Sequence, residues 1–475
     1  MADKKQYIIF LFFLAVSFAM RLFSFFPSVM DHDESTYLII GRDILNGKLL
    51  YTDVTDTKPV GIFLFYAGLE FLFGSSIFLK RMIFSLVVGA TAFLILRVSK
   101  KLFKQNLVAF SSGLIYIIYT SVWNYHGRSP NTELLFNLCT ISALLLFLAK
   151  NNRNYFAGGL LMGIGFMIKY LVLFDIAAFL LFFFIIEIKD LKHTSFLTIL
   201  WKYILAGIAF LLPFALVNLY FWLGDNFQNF YFITYELPAN YGGSPSLKRY
   251  FIMLLDLTAK FLPISFIVFY IAFSRNKILK TNLKWFFVLW IVFVLFAIYI
   301  PGKEFSHYTI QLMLPLSLLA GIFFHSKFKT DRITKTIYSK KNGLALLVFI
   351  LITIQIISFK NEVIAPDYPR EVAEYLEDKL EKDDAIFVSN YKQIVYYLLD
   401  IECPTKFVHS NLLFTETHKA FNINAEVEVR RIIDSNPKFV LIQRKNKLVE
   451  TLIEGKYRLI KKFKNDEILV YQLKN

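Results

Sequence analysis

Residues 7–26 read YIIFLFFLAVSFAMRLFSFF, and residues 31–74 read DHDESTYLIIGRDILNGKLLYTDVTDTKPVGIFLFYAGLEFLFG. The first stretch has the length and apolar character of one membrane crossing, which takes about 20 residues. The second is too long and too charged for a simple turn between two crossings. Together they predict a polytopic membrane chain with an elaborate first loop. The N-terminal run is too long for an ordinary signal peptide and lacks a small-residue cleavage site, so it is expected to remain as a span.

The rest of the chain agrees. It has 475 residues, 56% of them hydrophobic, with 53 Phe and 26 Tyr and a mean hydropathy of +0.52. Soluble domains are roughly 45–50% apolar even with glycine counted, and here the excess lies in long uncharged runs. Disorder, a collagen repeat, a coiled coil, a disulfide scaffold and a single soluble globule are excluded. Cys139 lies in an apolar run and Cys403 in a polar tail; neither a bridge nor a zinc spacing is expected. No Gly-rich phosphate loop, Ser/His/Asp order or internal repeat is present.

Spans are predicted near 7–26, 82–99, 107–123, 132–149, 155–168, 171–187, 199–221, 251–273, 284–300, 307–324 and 343–359, roughly eleven in all. With the N-terminus in the cytoplasm, the inner loops hold about twice the Lys and Arg of the outer loops before the tail, as the positive-inside rule requires. That placement accounts for much of the net charge of +16 without nucleic acid. An odd number of spans puts the tail outside. The fold class expected is therefore an all-α polytopic membrane domain over residues 1–360, with a large first outer loop at 27–81. A small α/β soluble domain over residues 361–475 follows on the outer face. In the tail, Tyr368–Lys382 has helical spacing, Ala385–Ser389 and Phe439–Gln443 read as strands, Val427–Asp434 as helix, and Tyr457–Phe463 with Glu467–Leu473 as a hairpin.

Chemistry is expected in the first outer loop. Between Asp31 and Lys58 it holds six acids (Asp31, Asp33, Glu34, Asp43, Asp53, Asp56) and three bases (Arg42, Lys48, Lys58). A carboxylate at the membrane–water boundary is partly desolvated, which raises its basicity and suits a general base acting on a hydroxyl. The bland alternative is a solvated acidic loop. Gly61–Gly74 is too short to span and reads as an interfacial or re-entrant helix opened by Pro59. Lys58 then lies beside the positive end of a helix, where phosphate binds readily. Other polar residues fall at outer span ends: His126, Arg128 and Glu133; Lys169 and, deeper, Asp175; Lys303, Glu304, His307, Tyr308 and Gln311. Each alone also reads as a snorkelling or interfacial side chain, Lys303 and Glu304 more so than Arg128, Lys169 and His307. Together, acids on one loop and cations on several others make the electrostatic layout for a hydroxyl nucleophile and a phosphate leaving group.

These residues resemble a known pattern. Asp33-Glu34 with Tyr37 is followed by Gly41, Arg42, Ile44, Leu45, Gly47, Tyr51 and Asp53. Next come Lys58-Pro59-Val60 running to Leu72-Phe73-Gly74, then Gly163, Gly165 and Lys169, then His307, Tyr308, Gln311 and Pro315. The series is similar to the GT-C superfamily of polytopic glycosyltransferases. The nearest branch is that of protein O-mannosyltransferases and lipid A aminoarabinose transferases, including RgtA/B/C/D-like enzymes, and the resemblance covers about residues 1–325.

The resemblance implies an inverting glycosyltransferase of the bacterial cytoplasmic membrane, working on the non-cytoplasmic face. It would move a sugar from a polyprenyl-phosphate donor to a hydroxyl of a lipid, glycan or protein. It implies catalytic roles for Asp33, as base, and Glu34, and substrate-binding roles for Tyr37, Lys58, Arg128, Lys169, His307 and Tyr308. The high Lys, Phe, Ile and Asn usage suits an AT-rich bacterial genome and favours undecaprenyl over dolichyl carriers. Two departures matter. The second proline of the KPP element is Val60. The place before the lysine, a metal-binding Glu in the aminoarabinose branch, is Thr57, so a divalent metal on Asp56 and His307 stays open. Asp31 is an alternative to Asp33 as base, although Tyr37 fixes the register on Asp33. The alternative activity is a transporter or flippase, which predicts paired half-repeats and broken midplane helices.

Overall fold

The computed structural model describes residues 2–122, 126–189, 195–238, 246–273, 279–300, 302, 305–325, 340–409, 411–414, 421–443 and 446–474. The chain is mostly helical and divides into two compact units. One comprises Met1–Phe25, Arg81–Leu219 and Gly242–Glu362; the other comprises Phe26–Lys80, Tyr220–Tyr241 and Val363–Asn475.

The first unit holds α1 (Ala2–Arg21), most of α4 (Ile77–Phe103), α5 (Asn106–Thr120), α6 (Thr132–Phe147), α7 (Asn152–Ile168), α8 (Val172–Ile188) and most of α9 (Phe196–Leu223), with later helices at Thr281–Tyr299, Met313–Gly321 and Lys340–Phe359. Among the described residues, six helical segments are long and apolar enough to cross a membrane: Lys4–Phe25, Ile77–Phe103, Phe196–Leu223, Thr281–Tyr299, Ser306–Phe324 and Ala345–Glu377. Helix stands at the other expected spans too, but α5 to α8 have only 15 to 17 residues. The single span expected at 251–273 is instead two helices, Leu247–Lys260 and Leu262–Ile271, bent by 92°. Pro263 explains the break: it has no N–H to continue the ladder, and its ring disfavours helical geometry at Leu262.

Glycine sets the packing of α7. A Cβ on Gly159 would collide with the Ala206 carbonyl of α9. Only a hydrogen fits where the two backbones meet, the usual device for close helix contact where lipid supplies no hydrophobic drive. Two buried acids of this unit are answered by donors. Lys202 meets Glu187 at 2.6 Å, and Asp175 accepts from Trp290 Nε1 at 2.6 Å and Gln311 Nε2 at 2.5 Å.

The second unit combines the first loop with the tail. The loop is a helical hairpin: α2 (His32–Leu45) packs on α3 (Val60–Phe73). Asp31 is the N-cap of α2, its side chain accepting from the Asp33 N–H, and Pro59 takes the N-cap position of α3. A Cβ on Gly41 would lie 2.8 Å from the Tyr66 backbone, so the glycine of the sequence motif is the point where the hairpin closes. The tail has a four-stranded sheet of β1 (Ile386–Val388), β2 (Phe439–Gln443), β3 (Tyr457–Phe463) and β4 (Ile468–Leu473) in the order β1-β2-β4-β3. β1 and β2 are parallel, with Phe387 opposite Val440, and the other pairs are antiparallel. Val429, Ile432 and Ile433 of the helix Ala425–Asp434 cover the sheet with Phe387, Val440 and Ile442. The strands and hairpin fall where expected. The helix predicted over Tyr368–Lys382 stops at Glu377.

Candidate active site

The hairpin brings Asp33 and Lys58 together within the second unit. Asp33 is in the first turn of α2 and Lys58 two residues before α3. Lys58 Nζ lies 3.1 Å from Asp33 Oδ2 and 3.5 Å from Asp56 Oδ2. Tyr37, one turn along α2, donates its hydroxyl to Asp33 Oδ2 at 3.4 Å; its ring packs on Tyr66 and underlies the lysine at 5.9 Å. Tyr51 has a left-handed backbone, φ 67°, and its hydroxyl donates to the Lys58 carbonyl at 2.8 Å, which fixes the chain where the lysine emerges. The side chains of Asp33 and Lys58 each keep 17% exposure, enough for a substrate group to reach them.

The tail supplies the other wall. His409 Nε2 is 3.8 Å from Asp33 Oδ1, and its ring stacks on His32 at 5.7 Å. His32 Nδ1 faces Gln393 Oε1 at 3.2 Å and its Nε2 faces Lys392 Nζ at 2.6 Å, so the neutral tautomer protonated on Nδ1 satisfies both. Burial, Lys392 and His409 push His32 down to about 4, and burial lowers His409 as well. Burial and the neighbouring Asp33 charge push Asp31 up to about 7. Its carboxyl nevertheless caps α2, whereas Asp33 faces both Lys58 and His409.

Other sequence candidates lie elsewhere. Glu34 is buried, 2% exposed, about 100° around α2 from Asp33. Arg42 of the motif is buried and binds the Tyr396 and Ile401 carbonyls, so it fastens the hairpin to the tail. In the first unit, Arg128 makes a two-pronged pair with Glu362 at 2.6 and 2.5 Å and donates to the Met20 carbonyl. Lys169 pairs with Glu133 and sits 3.9 Å from the centre of the Tyr308 ring. His307 packs between Phe305 and Tyr308. Lys303 and Glu304 lie outside the described residues. Asp56 turns its carboxylate to Lys58, and no group of three His, Cys, Asp or Glu converges as a metal site among the described residues. Lys58 already answers one oxygen of Asp56, and no step below uses a divalent ion.

Sequence reasoning missed His32, Lys392, Gln393 and His409. His32 was in plain view between Asp31 and Asp33, but its partners are about 360 residues away, and nothing local in KFVHSN marks His409.

With this geometry in hand, the comparisons are specific. The sequence pattern of the family described as dolichyl-phosphate-mannose-protein mannosyltransferase matches residues 57–221. That span contains Lys58, Arg128 and Lys169 and leaves out Asp33 and His307. The structure of ArnT from Cupriavidus metallidurans bound to undecaprenyl phosphate superposes with a TM-score of 0.67 at 16% identity, covering 97% of each chain. The apo state of the same protein gives 0.67 at 14% identity, covering 99% of this chain and 98% of that one. The chain has the ArnT fold. That likeness is one of fold, and it agrees with the mostly helical membrane architecture expected from the sequence. The ArnT coverage extends through the tail, beyond the roughly 325 residues that the motifs reached. No curated protein sequence matches the chain.

Proposed function

We propose that the protein is a glycosyltransferase that takes a sugar from a polyprenyl-phosphate donor, undecaprenyl in type, and transfers it with inversion to an acceptor hydroxyl. The observation that carries this reading is the Asp33–Lys58 contact of 3.1 Å at the head of α2, in a chain with the fold of a protein crystallised with undecaprenyl phosphate. Asp33 takes the acceptor proton. The freed oxygen attacks the anomeric carbon from the side opposite the phosphate, and the carbon–phosphate oxygen bond breaks with its electron pair going to the carrier phosphate. Lys58 balances the leaving charge, and a phosphate needs no general acid when a cation answers it. Tyr37 holds Asp33 and Lys58 in register. His409, neutral and beside Asp33, closes the site from the tail and orients the carboxylate.

In the first unit, Lys169, Tyr308 and His307 are proposed to bind the carrier. Arg128, its charge answered by Glu362, supports that unit from within. With the roughly eleven crossings read from the sequence, in a bacterial cytoplasmic membrane, the positive-inside pattern supports an orientation with the site and tail on the non-cytoplasmic side. The test is sugar transfer from a synthetic undecaprenyl-phosphate sugar by the purified protein. Turnover is expected with wild type and absent in Asp33→Asn with donor binding retained. Full activity of Asp33→Asn removes the base assignment, and absence of transfer from every lipid-linked sugar, with no binding of the carrier, removes the whole reading.

A further inference from the structure

Beside the Asp33 cluster the second unit has a cavity of about 260 Å³. A short bridge pairs Thr55 with Phe407, and the Thr55 N–H donates to the Lys406 carbonyl at 2.8 Å. Both sides of that bridge line the cavity. Asp56 follows Thr55 directly, and His409 is two residues beyond Phe407, so the cavity and the carboxylate cluster share one piece of backbone.

The lining has two chemistries. Phe421 meets Phe232 and Phe407 edge to face, each with ring centres 6.1 Å apart, which gives apolar ring faces at several angles. Between them stand amides and a hydroxyl. Asn229 donates one amide hydrogen to Thr52 Oγ1 at 3.1 Å, which fixes its side chain in the lining. Asn422, held at φ 54°, adds a second amide to the lining. Thr55 is 2% exposed, and its hydroxyl has no hydrogen-bond partner among the described residues, a cost that a ligand hydroxyl would relieve.

This combination selects among ligands. An isoprenoid tail would leave the amides and the Thr55 hydroxyl unpaired in an apolar contact. A phosphate group would meet one cation, the exposed Lys406, where such sites need several donors. A ring with apolar C–H faces and equatorial hydroxyls satisfies both walls at once, and the volume lies just below the range of about 300 to 1,000 Å³ that holds drug-sized molecules. We propose that this cavity binds a single saccharide ring next to the Asp33 cluster. The assignment rests on the transferase reading and narrows it. The ring belongs either to a glycan acceptor or to the donor sugar.

The experiment uses the full chain in nanodiscs and saturation-transfer NMR with methyl glycosides of mannose, glucose, galactose and arabinose. At least one glycoside is expected to show saturation concentrated on its C–H face. Phe407→Ala is expected to reduce that signal at least fivefold. Asn422→Gly, which suits the left-handed backbone and therefore folds, is expected to reduce it about threefold. A signal that persists when undecaprenyl-phosphate mannose is bound assigns the cavity to the acceptor. A signal displaced by that lipid but not by undecaprenyl phosphate alone assigns it to the donor sugar. Equal signals in wild type and both variants, or no glycoside signal from a preparation that still binds undecaprenyl phosphate, overturns the proposal. Glycoside binding without any binding of undecaprenyl phosphate overturns the donor reading instead.

Discussion

Asp33 and Asp31 are two residues apart and face different tasks, and substitution separates them. Asp33→Asn keeps the shape of the side chain but cannot accept a proton. It is expected to lower transfer by about 10²- to 10⁴-fold, measured as single-turnover product formation at saturating donor. Asp31→Asn is expected to behave differently. Asn caps a helix about as well as Asp, so α2 should survive. Burial, with the charges of Asp33 and Glu34 beside it, pushes the folded Asp31 carboxyl up to about 7 from 3.8 for the ordinary side chain, against the smaller opposing pull of Lys58. The folded state therefore holds a proton that the unfolded state has lost, and Asp31 destabilises the fold progressively as pH rises from about 4 to 7. Asp31→Asn should raise the unfolding temperature at pH 8, by an amount worth about 1 kcal/mol or more, and the gain should shrink below pH 5. An unchanged difference between pH 8 and pH 4.5 would show that the side chain ionises freely.

At the scale of elements, two glycines decide contacts that no side chain can make. Gly41→Val places methyl groups on the Tyr66 backbone, where even a Cβ would come within 2.8 Å. The expected cost is about 1–3 kcal/mol, and transfer should fall because α2 carries Asp33 while α3 follows Lys58. Gly159→Leu should lower the unfolding temperature through the contact of α7 with α9, without acting on Asp33. Thermal unfolding in detergent, read beside the activity of the protein that remains folded, distinguishes the two. Much of this level was legible. Gly61–Gly74 was short enough to be read as a non-spanning helix, and the tail strands announced themselves by β-branched runs. The segment from Asp31 to Leu45 reads as an acidic loop for its charge, although acids at a cap and in a first turn are where the helix dipole favours them. The bend at Phe261 was equally hidden, since apolar composition continues across it.

For the whole molecule, the second unit joins residues far apart in sequence. Arg42 donates to the carbonyls of Tyr396 and Ile401, Lys80 Nζ reaches Tyr397 Oη at 2.5 Å, and the Ser28 N–H donates to Asp367 at 2.8 Å. Deleting residues 363–475 strips these hydrogen-bond partners from Arg42, Lys80 and the Ser28 N–H, although Asp43 and Glu70 still answer the two cations. Buried polar groups that lose a partner cost about 1–3 kcal/mol each. The truncated protein should therefore show proteolysis within residues 26–80 faster by at least about tenfold. Cleavage at the wild-type rate would mean that the hairpin stands without the tail.

Sequence by itself determined that this chain is a polytopic membrane protein with an α/β tail. Run length, charge placement and strand periodicity are local properties that the bilayer and the backbone read directly. It also supplied Asp33 and Lys58 as candidates, because both lie within one loop. Only the tertiary structure decided that His409 and Lys392 from the tail stand at the head of α2, that Arg42 fastens the hairpin to the tail, and that Arg128 and Lys169 are answered by Glu362 and Glu133. Those outcomes depend on which distant carboxylate, carbonyl or ring a buried group meets. A buried cation must find such a partner to be stable, but its own neighbours in sequence do not say where that partner comes from.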